Sequence, residues 1–145
     1  MAGPRSEPSP SAVDGLITKP SPHSVDVTLD RLEVALKEHG YVVFARIDHA
    51  DAAASAGLRM PRATVLIFGN PRVGTPNFIQ QPTLAIDLPL KALVYQDADG
   101  NVLVGYNSAK YLFETIYARH GIHGDPDAMK RAESAYDAIT DTALK

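Results

Sequence analysis

Residues 66–76, Leu-Ile-Phe-Gly-Asn-Pro-Arg-Val-Gly-Thr-Pro, join the most apolar segment of the chain to a loop rich in backbone N–H donors. The apolar run over residues 63–68 is nearly continuous, which is typical of a strand that is covered on at least one face and central in its sheet. It stops at Gly69, and Asn70-Pro71 is a typical helix start, with asparagine as the cap and proline in the first turn. We therefore expect a buried strand, a loop and a short helix reaching Gln81.

The residues before this strand predict a strand, a helix, a second strand and a short helix. Residues 15–18 form a short strand candidate. Ser24 is a typical N-cap for a helix whose apolar residues recur every three or four positions, and Gly40 is a typical terminator for it. Residues 41–48 are rich in β-forming side chains, and residues 49–58 are rich in alanine.

The residues after Pro82 predict extended segments and then two helices. Residues 84–87 and 90–96 are extended candidates, residues 97–101 form a hairpin turn with glycine, and residues 102–106 form the return strand. Asn107 or Ser108 caps the next helix, which ends at Gly121. Asp125-Pro126 starts a final helix, whose apolar face comprises Met129, Ala132, Tyr136, Ile139 and Ala143.

This order of elements predicts an α+β fold rather than a wound parallel sheet. The expected architecture is a two-layer β-α-β(4)-α arrangement with an antiparallel sheet, helices on one face, and an extra C-terminal helix. The other face of the sheet is then either wet or covered by a partner subunit. Weak alternation in residues 102–106 favours the covered case, and we therefore predict a homodimer. The final helix is expected to shield the sheet or to reinforce that dimer.

Composition restricts the functional classes. The 145 residues carry a net charge of −3 and contain no run of lysine or arginine, so neither nucleic acid nor an anionic membrane is expected as a partner. The absence of cysteine excludes thiolate catalysis and cysteine-ligated metals. No apolar stretch approaches the roughly 20 residues that span a bilayer. The N-terminal residues do not resemble a signal peptide, and a cytoplasmic location is expected.

A set of short motifs together resembles the domain-of-unknown-function 302 (DUF302) family, also called the TT1751-like fold. The motifs are Gly40-Tyr41, Arg46 to Ala53, Gly57 to Pro61, Phe68 to Pro71 with Gly74-Thr75, Pro82, Asp87 to Leu90, and Asp99-Gly100. The resemblance implies a β-α-β(4)-α fold that is often dimeric, and it implies no agreed activity. It covers residues 14–121. We therefore expect a disordered leader over residues 1–12, a DUF302-like domain over 13–121 and an appended amphipathic helix over 122–145.

His49 is the sharpest single candidate for chemistry, because it lies between a strand and a helix, where sites gather. Its imidazole can ligate haem iron or another metal, with Met60 as a conceivable second ligand, or it can act as a general acid or base. Asp48 and Asp51 flank the ring and can orient it. The alternative is that His49 caps the following helix and that the two carboxylates are ordinary surface charges.

The loop over residues 69–75 is the second candidate, because backbone N–H groups at a helix start attract anions. Arg72 can pair with a carboxylate or phosphate, and Asn70 and Thr75 can supply hydrogen bonds beside Gly74. The loop has no Walker ending, so the alternative is a turn whose glycines serve geometry alone. We hypothesise that His49 and this loop open onto one cavity.

Other titratable residues give weaker signals. His120 and His123, near Asp125 and Asp127, superficially resemble a metal site, but the expected reading is a solvated loop. No spacing selects a catalytic carboxylate pair from Asp87, Asp97, Asp99 and Glu114.

The sequence thus predicts a small-ligand-binding domain for an acidic or polar molecule, with its cofactor unknown. Three alternatives stay open: a haem- or metal-binding protein that uses His49, an enzyme that uses His49 as general acid or base, and a purely interacting or structural dimer without a pocket.

Overall fold

The structure is a computed structural model that describes residues 14–145, so the leader predicted over residues 1–12 lies outside the described residues. Its strands are β1 (Leu16–Ser21), β2 (Val42–Asp48), β3 (Ala63–Gly69), β4 (Leu90–Gln96) and β5 (Val102–Asn107). They form one antiparallel sheet in the order β1-β5-β4-β3-β2.

The helices occupy the connections and the C-terminal part of the chain. They are α1 (Val25–Glu38), α2 (His49–Ser55), α3 (Pro71–Gln80), α4 (Ala109–Tyr111) and α5 (Pro126–Ala143). A π-helical segment (Leu112–Tyr117) continues α4, and a 3₁₀ turn (Pro82–Ile86) follows α3. The predicted α+β architecture with its extra C-terminal helix is confirmed.

Helix starts follow the predicted caps. The side chains of Ser24, Ser108 and Asp125 each accept a hydrogen bond from the backbone N–H three positions further on. Of the two candidates before α4, Ser108 is therefore the cap. Asn70 accepts from the backbone N–H two positions further on, and Gly40 has the positive φ, 85°, that closes α1.

The core lies between the sheet and the layer formed by α1 and α5. Alternate residues of the central strands point to this layer, because successive side chains of a strand face opposite sides. The sheet contributes Leu66, Phe68, Ala92, Val94, Val104 and Tyr106, and α1 contributes Val25, Leu29, Leu32, Ala35 and Leu36. The apolar run over residues 63–68 is thus a central strand with one face in the core.

Helix α5 belongs to this core. Ile139 is only 2% exposed, and Ala143 is also buried. Tyr136 meets Tyr106 edge to face, with ring centroids 6.2 Å apart. At the far end of the sheet, Lys19 Nζ of β1 donates to Thr140 Oγ1 at 2.7 Å. The final helix therefore shields the sheet of its own chain, as one of the two expected alternatives required.

The segment predicted as extended over residues 84–87 is instead part of the 3₁₀ turn, and that prediction is wrong. The backbone N–H of Leu84 donates to the carbonyl of Gln81, and that of Asp87 donates to the carbonyl of Leu84, both at 3.0 Å. The turn buries the Leu84 side chain completely. Local sequence did not reveal this, because one buried leucine fits a turn as well as a strand.

The face of the sheet that points away from α1 and α5 is also largely apolar. Its half-buried or exposed side chains include Val42, Ala45, Ile47, Val65, Ile67, Leu93, Tyr95 and Leu103. The edge strand β1 contains Pro20, and the edge strand β2 has a bulge at Phe44. Within residues 14–145, no helix has the length and apolarity needed to cross a membrane.

Candidate ligand-binding cleft

A cleft of about 500 Å³ opens at the end of the sheet where β2 begins and β3 ends. Its walls come from α3, from the π-helical segment, from α5 and from residues 88–90. Small-molecule sites typically enclose about 300–1,000 Å³, so this cleft has the volume of such a site. It is the setting in which the predicted loop residues can be judged.

Helix α3 forms the first wall. Of the predicted loop residues, Asn70, Gly74 and Thr75 line the cleft, whereas Arg72 does not. On a helix, positions separated by three or four residues share a face, so residues 71, 74, 75 and 78 point the same way and residue 72 is turned from them. The exposed Arg72 contributes its backbone N–H to Asn70 Oδ1 at 3.1 Å, and its guanidinium lies outside the lining.

Helix α5 forms the opposite wall and supplies the charge that the sequence analysis assigned to Arg72. Ala128, Arg131, Ala132 and Ala135 line the cleft at helical spacing. Among the lining residues in the described part of the chain, Arg131 alone is charged. The sequence signal was present as a stripe of small residues broken by one arginine, but it lay in a helix that was assigned outside the domain.

Three tyrosine residues, Tyr41, Tyr117 and Tyr136, also line the cleft. Burial raises the pKa of the Tyr41, Tyr117 and Tyr136 phenols above the usual value for tyrosine. The phenols of Tyr41, Tyr117 and Tyr106 further raise the pKa of Tyr136. All three therefore keep their protons at neutral pH and can donate O–H hydrogen bonds.

Aromatic rings complete the apolar part of the cleft. Phe44, Phe78 and Phe113 line it, and the ring of Phe113 lies 5.1 Å from that of Tyr117. Phe113 and Tyr117 both belong to the π-helical segment. The π-helix is rare in proteins, and where it occurs it is often found at functional sites.

His49 lies at the other end of the β2–β3 pair, so the hypothesis of one shared cavity is wrong. Gly69 pairs with Val42, whereas Asp48, just before His49, pairs with Thr64. Gly69 lies five positions further along β3 than Thr64, which corresponds to about 17 Å. His49 is exposed and does not line the cleft.

The carboxylates beside His49 have a local structural role. Asp48 Oδ1 accepts from the backbone N–H of Asp51 at 2.9 Å and so caps α2, the role that had been considered for the histidine ring. Met60 is exposed. Among the described residues, no group of three or more histidine and carboxylate side chains could hold a metal ion. The haem, metal and acid–base roles of His49 stay predictions.

His120 is buried, so the prediction of a solvated loop at this position is wrong. Its Nδ1 lies 2.9 Å from Thr83 Oγ1, and its Nε2 contacts the carboxylate of Asp87. The hydrogen bond from His120, helped by the positive charge of Arg119, lowers the pKa of Asp87 below its usual value. Sequence reasoning missed this pair, because 33 residues separate its members.

The Thr83–His120–Asp87 cluster positions part of the cleft. It ties the 3₁₀ turn to the helical end that follows the π-helical segment, and Asp87 directly precedes the lining residues Leu88, Pro89 and Leu90. Asp125 caps α5 instead of joining His120. The arrangement therefore holds a wall in place rather than forming the metal site that the four side chains had superficially resembled.

The fold and cleft define a two-layer α+β domain with a small-molecule-sized site. Residues 17–142 match the family model described as domain of unknown function DUF302, and the chain belongs to this family. The predicted resemblance is confirmed, but the match includes α5, so the expectation that it ends at residue 121 is wrong.

Two similar proteins are named "Fluoride-specific ion channel FluC 1". The one from Brucella suis is 36% identical over 129 residues, which cover 88% of this chain and 49% of the relative. The one from Brucella abortus is 36% identical over the same length, which covers 46% of that relative. The chain thus spans about half the length of the curated relatives that it matches.

A solved structure supports the architecture. The crystal structure of an uncharacterized conserved DUF302 protein from Bacillus stearothermophilus has a TM-score of 0.74 and 20% sequence identity. The superposition covers 92% of this chain and all of the neighbour. At this level of identity the likeness shows the fold alone.

Proposed function

We propose that this chain is a small-molecule-binding domain whose site is the cleft between α3, the π-helical segment and α5. The cleft itself supports the proposal most strongly: about 500 Å³ with apolar walls and a few polar groups, which is the usual character of small-molecule sites. Asn70 and Thr75 contribute hydrogen-bonding groups, and Gly74 leaves the space open. Arg131 takes the role that the sequence analysis gave to Arg72.

Substitutions at Gly74 test this site. A Cβ built at Gly74 has as its nearest neighbour a ring atom of Phe78 at 3.6 Å, which is an ordinary contact. Gly74→Leu should therefore fill part of the cleft without displacing the backbone, and Gly74→Ala is the matched control that leaves most of it open.

The measurement is ¹H–¹⁵N NMR of the wild-type chain against a set of small organic acids, alcohols and amines. We expect compounds that bind to shift the amide signals of Gly69 and Gly74. We expect Gly74→Leu, but not Gly74→Ala, to weaken the binding of these compounds at least about tenfold. Hits that shift only amides far from the cleft, or that bind Gly74→Leu as well as wild type, would contradict the proposal.

We further propose that the chain forms a homodimer through the apolar outer face of its sheet. Five strands, each about six residues long, present a face of about 500 Å² per subunit, or about 1,000 Å² for the pair. This area reaches the lower bound for a specific interface. Face-to-face packing would cover side chains such as Ile47 and Ile67.

Light scattering coupled to size exclusion tests the dimer. The wild-type chain should elute at twice its chain mass, and Ile67→Lys should convert it to a monomer that still melts cooperatively. Ile79→Lys, which changes an exposed isoleucine on α3, should leave the dimer intact. A monomeric wild-type chain would refute this part of the proposal.

The relatives named as fluoride channels raise the question of whether the cleft takes fluoride. A monatomic anion has about the size of a water molecule, whose share of volume is about 30 Å³, so it would fill less than about a tenth of the cleft. We infer that the ligand of the cleft is a molecule larger than fluoride. No described contact favours His49 as a haem ligand or a general base, and no second function is proposed.

A further inference from the structure

We infer that the cleft binds an organic anion with an apolar body, whose acidic group pairs with Arg131 at the rim while its body lies between the aromatic walls. The inference rests on the proposed function and specifies the class of ligand. Three properties of the lining support it: its charge, its hydrogen-bond donors and the position of its apolar surface.

The charge of the lining favours an anion. The chain has 17 acidic and 14 basic residues, yet in the described part of the chain none of the residues lining the cleft is acidic and one is an arginine. A cationic ligand would leave its charge unpaired beside Arg131, and bringing like charges together is unfavourable. An anion finds a partner that can bind it through two parallel hydrogen bonds.

The donors of the lining agree with the charge. Tyr41, Tyr117 and Tyr136 line the cleft, and their phenols stay protonated at neutral pH, because burial raises the pKa of each. They offer O–H donors, and the guanidinium of Arg131 offers only donors. A carboxylate or sulfonate accepts hydrogen bonds from both, whereas an ammonium group can accept from neither.

The apolar surface sets the orientation. Phe78 and Phe113 line the cleft and are half-buried, whereas Arg131 is exposed, with its charge near solvent. A ligand that placed its charge among the phenylalanine rings would lose hydration, and those rings offer it no hydrogen-bond donor. The acidic group therefore lies at the rim, and the apolar body points inward.

Three probes that share one tail separate the classes. Octanoate, octan-1-ol and octyltrimethylammonium have the same alkyl chain with a negative, neutral and positive head. Isothermal titration below micelle formation, with ¹H–¹⁵N NMR to locate binding, should rank octanoate about threefold to fivefold tighter than octanol, with octyltrimethylammonium weakest. Octanoate binding should weaken as salt is added, because Arg131 is exposed.

Paired substitutions on one helix assign the charge. Arg131→Gln should weaken octanoate binding about threefold to fivefold and leave octanol binding unchanged. Lys130→Gln removes the same charge from the neighbouring exposed position, which is outside the lining, and should change neither affinity.

The possible failures are distinguishable. If octanol or octyltrimethylammonium binds in the cleft as tightly as octanoate, or if Arg131→Gln binds octanoate like wild type, the ligand class is wrong but the cleft remains a binding site. If none of the three probes shifts the amides of Gly69 and Gly74, this inference is overturned. The compound screen on the Gly74 variants then decides the proposed function by itself.

Discussion

Replacing Ile139 by alanine tests whether α5 is a structural part of the domain. The side chain is 2% exposed and packs in the core with α1 and the sheet. Removing a buried isoleucine to alanine typically costs 2–5 kcal/mol, from lost burial and from the cavity left behind. We expect a loss of about 3 kcal/mol in the free energy of unfolding and, for a chain of this size, a decrease in Tm of roughly 10 °C.

Ile79→Ala on α3 is the matched control, because it makes the same chemical change at a side chain that is 77% exposed. Both substitutions gain the same few tenths of a kcal/mol in helix propensity, which cancels in the comparison. The control should stay within about 0.5 kcal/mol of wild type. Urea denaturation followed by circular dichroism gives both values. Equal stability of the two variants would refute the packing of α5 against the core.

Three further predictions concern stability. Gly74→Ala should stabilise the chain by about 0.5–1 kcal/mol, because alanine has a higher helix propensity than glycine. Gly57→Ala should destabilise it by about 1 kcal/mol, because residue 57 has a φ of 77° and alanine disfavours that conformation. In thermal melts, the two variants should therefore change Tm in opposite directions. Thr64→Val should be neutral or stabilising by up to about 1 kcal/mol in urea titrations, because the buried Thr64 hydroxyl has no hydrogen-bond partner within residues 14–145; a marked loss would reveal a partner. Asp87→Asn should lower Tm at neutral pH, and the difference in Tm from wild type should shrink below about pH 4. The reason is that the pKa of Asp87 in the folded chain lies below the usual 3.8. The pairing with His120 therefore stabilises the fold fully above pH 3.8, and this stabilisation is lost as the pH falls through the lowered pKa. A pH-independent difference would contradict that account.

Elements with local signals were predictable from the sequence. As expected, α1 starts after Ser24 and ends before Gly40, and Asn70 caps α3. These features were predictable because capping and the left-handed conformation of glycine depend on residues within one turn. The succession of strands and helices along the chain followed from the same caps and turn residues, and this succession predicted the two-layer fold. The π-helical geometry of residues 112–117 has no comparable local code.

The candidate site was only partly predictable, because it is assembled from distant parts of the chain. Asn70, Gly74 and Thr75 line the cleft, because the loop and helix that carry them adjoin the central strand, and their role in ligand binding stays a prediction. Arg131 was missed, because only the packing of α5 brings it to the cleft. His49 was expected to share a cavity with the loop over residues 69–75. The antiparallel pairing of β2 and β3 instead places it at the opposite end of these strands, and sequence position alone does not show this.

The two edge strands have a consequence for how copies of this chain can meet. Proline at position 20 lacks the N–H that a neighbouring strand would need, and the bulge at Phe44 interrupts the regular backbone pattern of β2. Both features oppose the addition of another molecule's strand to extend the sheet. At high concentration the chain should therefore resist growth into cross-β fibrils, even though its strands are rich in valine, leucine and isoleucine.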